Sequence, residues 1–453
     1  MKNYTATIDG VTKSLLDWGF TEGQMQIANQ AVDSVMLKST LSQFALDDIF
    51  PLDAVIDIHR DDTRIFSGRC VPAASATLGK RTGTMRIDGA WAELESRQYL
   101  QPWTSVDGAV RTLTSFGRVS MHVDPSVWDS LNPKNWYVPT GTFIRQVMQW
   151  AIDKGAPLQI GTIDAGVSAP AESAQDIMDS EAIVRSLRWT PGAVCYFDYS
   201  TDPVTFHCRQ PASLGGASLP FTGFTELPKI QRSWRQIVRA VYVTFRLVSQ
   251  AETGFYVDDF ATIQYPPAGP GVPLPGERGA VTFSFDDVDV LSFVSSGLPK
   301  AIFDAYNAML WNVEGTLKGE DVPAAAALGQ VLNITGSRAA FASMGTIIQR
   351  TTDDFKKGTR KLECGVPRSL TGRDLQTLLA PNRRRNPLSL HRGEHQGDGQ
   401  GSSPNYGYDD QDQGQDEAGG RPPGSSLQTF EGTQNSGSGP VTKFFTGYLV
   451  VTG

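Results

Sequence analysis

Residues 180–208, SEAIVRSLRWTPGAVCYFDYSTDPVTFHC, carry the pattern of a short helix that leads directly into a β-hairpin. Ser180 can cap the start of the helix. The residue before Pro191 is disfavoured in the helical conformation, so the helix must end before that proline. One face of the helix is apolar, because apolar residues recur at helical spacing at Ile183, Val184 and Leu187.

Two runs of alternating apolar residues follow the helix, and the turn-forming residues 200–203 separate them. Pairing about this turn places Phe197 opposite Phe206 and Cys195 opposite Cys208. The aromatic pair gives the hairpin an apolar face onto which the preceding helix can fold. The stretch therefore predicts an α+β structural unit, and it contains no pattern of catalytic residues.

The composition is that of a globular protein with more than one domain. The chain has 453 residues, of which 40% are hydrophobic, and its formal net charge is −8. This charge repels nucleic-acid phosphates and predicts no sequence-specific nucleic-acid binding. The first ten residues lack an apolar signal region, and no apolar run is long enough to span a membrane. We therefore expect a soluble chain without its own export signal and without stable membrane insertion.

The four cysteines are scattered and include no Cys-x-x-Cys pair. This distribution argues against a zinc module or an iron–sulfur site and fits a reducing compartment. Cys195 and Cys208 are predicted to be cross-strand neighbours, and we expect a buried free pair there rather than a disulfide.

Residues 1–100 are predicted to form a first small β-barrel domain. Asp9-Gly10 tolerates positive φ, which predicts a tight hairpin turn between two short strands. A helix at 90–100 could plug one end of the barrel. Further strands are predicted at 34–38, 54–59, 64–71 and 83–88.

Residues 101–222 are predicted to form an α/β domain, which contains the helix and hairpin described above. A second helical run follows Thr142 and ends at Gly155. β structure then begins again in residues 223–385, which are predicted to be a second β-barrel domain. Its strands are predicted at 236–249, 254–265, 281–290, 331–334, 345–351 and 358–364.

A loop and helix insertion, at about 266–325, interrupts the predicted second barrel. Residues 266–279 are rich in proline and glycine and predict a loop. A helix is predicted over 301–317, because apolar residues recur there at helical spacing, at Phe303, Tyr306, Leu310 and Val313. The complete chain is thus predicted to be a β-rich α+β protein with two barrels and an α/β domain between them.

Residues 386–453 form a polar C-terminal extension rich in glycine, serine, glutamine and aspartate. Such a segment cannot bury enough apolar area to offset its ordering entropy, so we expect it to be disordered alone. Residues 441–453 return to the composition of a strand, which is typical of a segment that adds to a sheet edge of another chain. The alternative is a frayed terminus. The residues predicted to contact a partner are Phe444, Phe445, Tyr448 and Val450.

Residues that could carry chemistry form only weak patterns. Asp258 and Asp259 resemble the carboxylate turn of reverse transcriptases, but the preceding strand carries arginines and no acid, which favours an exposed hairpin turn. Three aspartates at 286, 287 and 289 lack the glycine and distal glutamate of a calcium loop. The five histidines are dispersed, and neither a nucleophile elbow nor a phosphate loop occurs. We predict no enzyme activity, no metal and no cofactor.

Residues 181–209 resemble the second domain of phage tail hub proteins, in which a helix, a Trp-x-Pro break and a Tyr-Ser-Thr hairpin turn occur together. Further sequence phrases extend the resemblance over about residues 1–385. The order in which these phrases occur along the chain is the evidence for the resemblance. These phrases are Leu16-Asp17-Trp18-Gly19, Ile87-Asp88-Gly89-Ala90-Trp91, Leu332-Asn333-Ile334-Thr335-Gly336, Gly358-Thr359-Arg360-Lys361-Leu362 and 370–379.

This resemblance implies a structural virion protein, a homotrimer in which two barrels of each subunit alternate around a pseudo-sixfold ring. Such a hub adapts or closes the sixfold tail tube at a threefold tip, and DNA passes through it only in transit. The implied partners are a distal tail or tail tube protein above, the C-terminus of a tape measure protein in the lumen, and a central spike or fibre protein below. The implied location is the virion, at the tail tip or baseplate, after assembly in the host cytoplasm.

Two other classes of protein stay open at this point. A receptor- or carbohydrate-binding tail fibre component would expose Trp103, Trp128 and Trp136 as stacking platforms. A hydrolase that acts on cell wall would need a cleft with paired carboxylates.

Overall fold

β-Strands are the main secondary structure of the chain. The structure is a computed structural model. The residues that it describes are 3–71, 83–107, 110–127, 137–169, 171–187, 189–190, 192–232, 238–250, 256–285, 297, 299–300, 302–304, 311–318 and 326–365. The described residues include the α-helices α1 Gln43–Ile49, α2 Trp91–Glu95, α3 Thr140–Asp153, α4 Asp179–Leu187 and α5 Ala339–Ala342. The strands are β1 Tyr4–Ile8, β2 Val11–Ser14, β3 Phe20–Ala28, β4 Ser34–Ser39, β5 Val55–Arg60, β6 Thr63–Val71, β7 Thr84–Gly89, β8 Gln101–Asp107, β9 Val110–Phe116, β10 Arg118–Met121, β11 Leu158–Ile163, β12 Glu172–Gln175, β13 Val194–Asp198, β14 Val204–Arg209, β15 Gly215–Pro220, β16 Lys229–Arg232, β17 Ala240–Gln250, β18 Tyr256–Tyr265, β19 Ala280–Phe285, β20 Trp311–Lys318, β21 Gln330–Thr335, β22 Thr346–Asp354 and β23 Thr359–Cys364.

One sheet of thirteen strands joins strands of both predicted β blocks. The first block supplies β1 to β7, the second supplies β16 and β20 to β23, and β15 comes from the end of the predicted α/β domain. The two blocks meet where β22 pairs antiparallel with β3, with Arg350 opposite Ala28 and Asp354 opposite Gln24. The order along the sheet is β16-β20-β23-β22-β3-β4-β7-β6-β5-β1-β2, and β15 and β21 attach beside β22.

The predicted fold class, a β-rich α+β protein, is confirmed. The tight turn of the first hairpin is present, and Asp9 and Gly10 both have positive φ, 46° and 78°. The two β blocks, predicted as two barrels, share strands of one sheet. β3 joins them and lies outside the strands that the sequence predicts. A register shift between Phe20 and Glu22 interrupts its alternation of apolar and polar residues, which hides the strand pattern.

The hairpin of residues 194–209 folds with the predicted register, and a helix precedes it. β13 and β14 pair with Phe197 opposite Phe206. The Phe206 side chain is fully buried, and its ring centroid lies 5.4 Å from that of Phe197. β11 adds a third strand, parallel to β14. Buried residues of α3, α4 and this three-stranded sheet belong to the same core as the first β block.

Two helix predictions are wrong in their bounds. α4 begins at Asp179, so Ser180 lies within the helix and does not cap it. The predicted helix at 90–100 shortens to the five residues of α2. Its apolar residues are nevertheless buried as expected: Trp91, Leu94 and Tyr99.

The helix predicted over 301–317 is wrong at its C-terminal end, where residues 311–318 form β20. Val313, Gly315 and Leu317 are buried at the two-residue spacing of a strand. β20 pairs with β16 on one side and β23 on the other. These cross-strand contacts outweigh the helical spacing that the sequence shows.

A separate sheet of three strands, with the order β18-β17-β19, contains the predicted strands at 236–249 and 254–265. Asp258 and Asp259 lie inside β18, opposite Val248 and Leu247, so the predicted exposed turn at these acids is wrong. The predicted loop at 266–279 is confirmed. None of the helices in the described residues is both long enough and apolar enough to cross a membrane.

Candidate functional site

The hairpin is attached to the first β block through Tyr199, which directly follows β13. The Tyr199 hydroxyl donates to Oδ2 of Asp33 at 2.7 Å and accepts a hydrogen bond from the backbone N of Ala90 at 3.2 Å. Oδ1 of Asp33 accepts a hydrogen bond from the backbone N of Ala28 at 2.9 Å. A Cβ atom at Gly89 would lie 2.4 Å from the Tyr199 hydroxyl. Glycine at this position therefore leaves the space that the hydroxyl occupies.

Both side chains of this contact are removed from water, with Asp33 1% and Tyr199 4% exposed. Burial raises the pKa of Asp33 to about 7, although the hydrogen bonds from Ala28 and Tyr199 act in the opposite direction. Burial and the neighbouring Asp33 carboxyl raise the pKa of Tyr199. A substrate cannot reach either group, so the contact is structural and not catalytic.

Arg64 of β6 binds the turn of the hairpin. Its Nε donates to the carbonyl oxygen of Tyr199 at 2.8 Å, and its Nη2 donates to the carbonyl oxygen of Thr201. Its Nη1 lies 3.7 Å from a carboxylate oxygen of Asp57. The side chain is 15% exposed. Because the backbone N of Ala90 donates to the Tyr199 hydroxyl, the phrases at 87–91 and 199–201, which both carry the sequence resemblance, meet in the folded chain.

Asn29 joins the hairpin to both β blocks. Its Nδ2 donates to Oε1 of Gln349 in β22 at 2.8 Å, and its Oδ1 accepts a hydrogen bond from the backbone N of Cys195 at 2.9 Å. The backbone N of Asn29 donates to the carbonyl oxygen of Gln349 at 2.9 Å. Gln349 in turn donates from Nε2 to the carbonyl oxygen of Gly365 at 3.0 Å. One amide side chain therefore fixes three segments that are far apart in sequence.

Apolar contacts surround these hydrogen bonds. Val194 of the hairpin is buried in one cluster with Leu328 and Ile347 of the second block. A Cβ atom at Gly329 would lie 2.7 Å from the Tyr196 ring, so the backbone approaches the hairpin closely there. We call the polar set that holds the hairpin and the two blocks together the junction: Asn29, Asp33, Arg64, Tyr199 and Gln349.

The pairing of β22 with β3 has its own side-chain contacts. Nζ of Lys356, in the turn that follows β22, donates to Oε1 of Glu22 in β3 at 3.0 Å. The ring of Tyr4 in the first block stacks on Phe355 of the second, with centroids 4.3 Å apart. Such paired contacts favour a fixed relation between the blocks.

A two-stranded ribbon, β8 and β9, exposes apolar side chains. β8 is fixed at its start, where Gln101 is buried and donates to the carbonyl oxygens of Ser120 and Val123 at 2.9 Å. β9 pairs with β8 and, in the described part of the chain, with no further strand. Both faces of β9 are apolar and exposed, because Leu113 (60%) and Phe116 (50%) point to opposite faces. The outer edge of β9 leaves backbone N–H and C=O groups that could pair with a strand of another chain.

All four residues predicted to contact a partner lie outside the described residues: Phe444, Phe445, Tyr448 and Val450. The aspartates at 286, 287 and 289 and the phrase at 370–379 also lie outside them. Their predicted roles stay predictions.

The structure describes one of the three tryptophans that the carbohydrate-binding alternative would expose. Trp103 is half-buried, and its Nε1 donates to the carbonyl oxygen of Arg118 at 2.9 Å. The Arg118 guanidinium lies 5.8 Å from the ring centroid. The ring is thus engaged within the chain, which does not favour a sugar-stacking platform. Trp128 and Trp136 lie outside the described residues.

The described histidines occupy separate places. His122 is buried, with its Nε2 3.0 Å from Oγ of Ser186. Nδ1 of His207 accepts a hydrogen bond from the backbone N of Thr162 at 3.0 Å, and burial lowers the pKa of this ring. Within the ranges that the structure describes, no group of three or more His, Cys, Asp or Glu side chains could hold a metal ion.

Four residues of the junction have no signal in the sequence analysis: Asn29, Asp33, Arg64 and Gln349. Each is a single polar residue without a motif, and its partners lie between 5 and 320 positions away. The available signal was indirect: Gly89 and Tyr199 both stand in phrases that the resemblance identified.

No protein-family model and no curated protein matches the chain. Solved structures similar to it include the 43 kDa tail protein of prophage MuSo2 from Shewanella oneidensis, with 12% identity over 81% of this chain and 99% of that chain and a TM-score of 0.45. A tail protein from Neisseria meningitidis MC58 has 9% identity over 82% and 98%, with a TM-score of 0.45. Prophage tail protein gp18 from Listeria monocytogenes EGD-e has 9% identity over 83% and 98%, also with a TM-score of 0.45. All three of these structural neighbours are tail proteins, and two of them come from prophages.

Proposed function

We propose that the chain is a structural virion protein, the homotrimeric hub of a phage tail tip. The observation that carries this proposal is the pairing of β22 with β3, which sets the two β blocks of one chain side by side in one sheet. A ring of three such chains contains six β blocks. Such a ring can face a sixfold tail tube on one side and a threefold tip on the other.

The junction supports this proposal because its hydrogen bonds link segments that the hub resemblance spans. Tyr199, Gly89 and Ala90 belong to two phrases of that resemblance and contact each other through the Tyr199 hydroxyl. Asn29 and Gln349 hold the blocks at their meeting point. A ring that transmits load along a tail needs such fixed relations between its parts.

Charge is consistent with a passage for DNA in transit. The net charge of −8 provides repulsion and not affinity for phosphates, so a lumen lined by this protein would let DNA slide. The same balance gives no support for sequence-specific binding. The proposed role needs no enzyme activity, metal or cofactor.

The proposed partners follow from the place of a hub. A distal tail or tail tube protein lies above it, the C-terminus of a tape measure protein enters its lumen, and a central spike or fibre lies below. We propose that Phe444, Phe445, Tyr448 and Val450 add a strand to that spike or fibre. Assembly takes place in the host cytoplasm, and the finished hub stays in the virion at the tail tip or baseplate.

Light scattering of the purified full-length chain, together with a cryo-EM reconstruction of particles that contain it, tests the proposal. We expect a mass three times that of the chain and density for three copies at the tail tip. Particles in which the chain occurs as a monomer, or in side fibres away from the tail axis, would contradict the hub assignment.

A further inference from the structure

Two thiols face each other in the middle of the hairpin. Cys195 of β13 lies directly opposite Cys208 of β14, and each side chain is 2% exposed. Both cysteines are free thiols. The other two cysteines face apolar neighbours instead: Cys70 is opposite Ile87, and Cys364 is opposite Val313.

The backbone hydrogen bonds around Cys195 and Cys208 show which kind of antiparallel residue pair they form. The backbone N of Cys195 donates to Oδ1 of Asn29 at 2.9 Å, and the carbonyl oxygen of Cys208 accepts from the backbone N of Asp164 at 2.9 Å. Each backbone therefore points its polar groups away from the other strand. The two cysteines form a non-hydrogen-bonded antiparallel pair, in which the Cα atoms are typically about 4.5 Å apart and the side chains are close.

That separation lies within the span of about 4.4 to 6.8 Å between the Cα atoms of disulfide-bonded cysteines. A bond between the two sulfur atoms therefore requires no change of register. Each strand is also held on its outer side, by Asn29 and by β11 respectively, so the two thiols stay in place.

We propose that Cys195 and Cys208 form a cross-strand disulfide when the folded chain meets a small-molecule disulfide as oxidant. The sulfur of one cysteine attacks the oxidant, forms a mixed disulfide and releases one small thiol. The second cysteine then attacks the mixed disulfide and releases the second small thiol. In total, the two cysteines lose two protons and two electrons, and the oxidant is reduced to two thiols.

Burial keeps this pair reduced until oxidant is present in excess. Burial raises the pKa of the Cys195 thiol, as does the neighbouring Cys208, so little of the reactive thiolate exists at neutral pH. Reaction therefore awaits a brief opening of the hairpin. That the bond forms outside the host, once a particle leaves the reducing cytoplasm, rests on the proposed function; the bond itself does not.

The disulfide would close a loop over residues 196–207, which includes Tyr199 of the junction. A cross-link of this kind restricts the unfolded chain more than the folded one. We expect it to raise the melting temperature by about 3 °C. Its effect would be to fix the hairpin that holds the two β blocks.

The test uses the purified full-length chain under native conditions with oxidised glutathione. After oxidation, free thiols are alkylated in denaturant, and the intact protein and its peptides are analysed by mass spectrometry. We expect the loss of two hydrogen atoms, a linked pair of peptides that contain Cys195 and Cys208, and full alkylation of Cys70 and Cys364. Reduction with dithiothreitol should restore four alkylated thiols and the lower melting temperature.

The matched variants are Cys208→Ser, which should abolish the cross-link, and Cys70→Ser, which should leave it unchanged. If Cys208→Ser does not fold, the peptide map of the unmodified sequence still decides the question. Four alkylated cysteines after oxidation of the folded protein would overturn the proposal. So would a stable glutathione adduct on Cys195, or a bond to Cys70 or Cys364.

Discussion

Replacing Asp33 by asparagine should change how the stability of the protein depends on pH. Asp33 is 1% exposed, and its burial raises its pKa from an ordinary value of 3.8 to about 7. Between these two pH values the folded chain keeps a proton on Asp33 that the unfolded chain has lost. The stabilising effect of the protonated form is therefore complete below about pH 4 and is lost as the pH rises to about 7.

The expected size of this effect follows from the two pKa values. Their difference corresponds to about 4 kcal/mol between the two protonation states of the folded chain. Asparagine has nearly the same shape and carries no charge at any pH. The free energy of unfolding of the original chain, minus that of Asp33→Asn, should therefore fall by up to about 4 kcal/mol between pH 4 and pH 8.

Urea unfolding at a series of pH values measures this difference, provided that the m-value stays constant. Burial also raises the pKa of Asp179 to about 7, which acts in the same direction, so the difference between the two curves is the informative quantity.

Asp62→Asn, in an exposed turn, is the matched control and should leave the curve unchanged. Tyr199→Phe removes a hydrogen bond that lowers the pKa of Asp33 and should move the loss of stability to higher pH. A difference between the original chain and Asp33→Asn that is constant from pH 4 to pH 8 would refute the reasoning.

Three further predictions concern packing and assembly. Phe206→Ala removes a fully buried ring and should lower the free energy of unfolding by roughly 3 to 5 kcal/mol, whereas an unchanged melting temperature would show that the ring is not packed. Leu113→Lys on the ribbon should reduce the trimer fraction in light scattering, because we expect the exposed apolar edge of β9 to contact a neighbouring copy. Leu274→Lys, in a loop and 64% exposed, is its control. Equal effects of the two variants on the trimer fraction would contradict this role of β9. Deletion of residues 441–453 should lower the occupancy of the spike or fibre in purified particles, and normal occupancy with normal infectivity would contradict the proposed anchor.

The sequence alone determined those local elements whose signals lie close together in the chain. In the hairpin at 194–209, the turn residues and the alternation of apolar side chains fix the register, because both signals lie within a few positions of each other. The turn at Asp9-Gly10 and the strands at 330–335 and 359–364 also follow from patterns within a few neighbouring positions. The β-rich α+β class follows from the sum of such elements.

Only the tertiary structure decided how these elements are joined. β3 pairs with β22, more than 300 positions later in the chain, and neither strand contains a signal that names its partner. Residues 311–318 satisfy both helical and strand spacing in part, and pairing with β16 and β23 selects the strand. The junction follows the same rule, since Asp33 and Asn29 acquire their roles from Tyr199, Cys195 and Gln349. A hydrogen bond or a buried contact depends on distance in space, and a pattern read along the chain reports only distance in sequence.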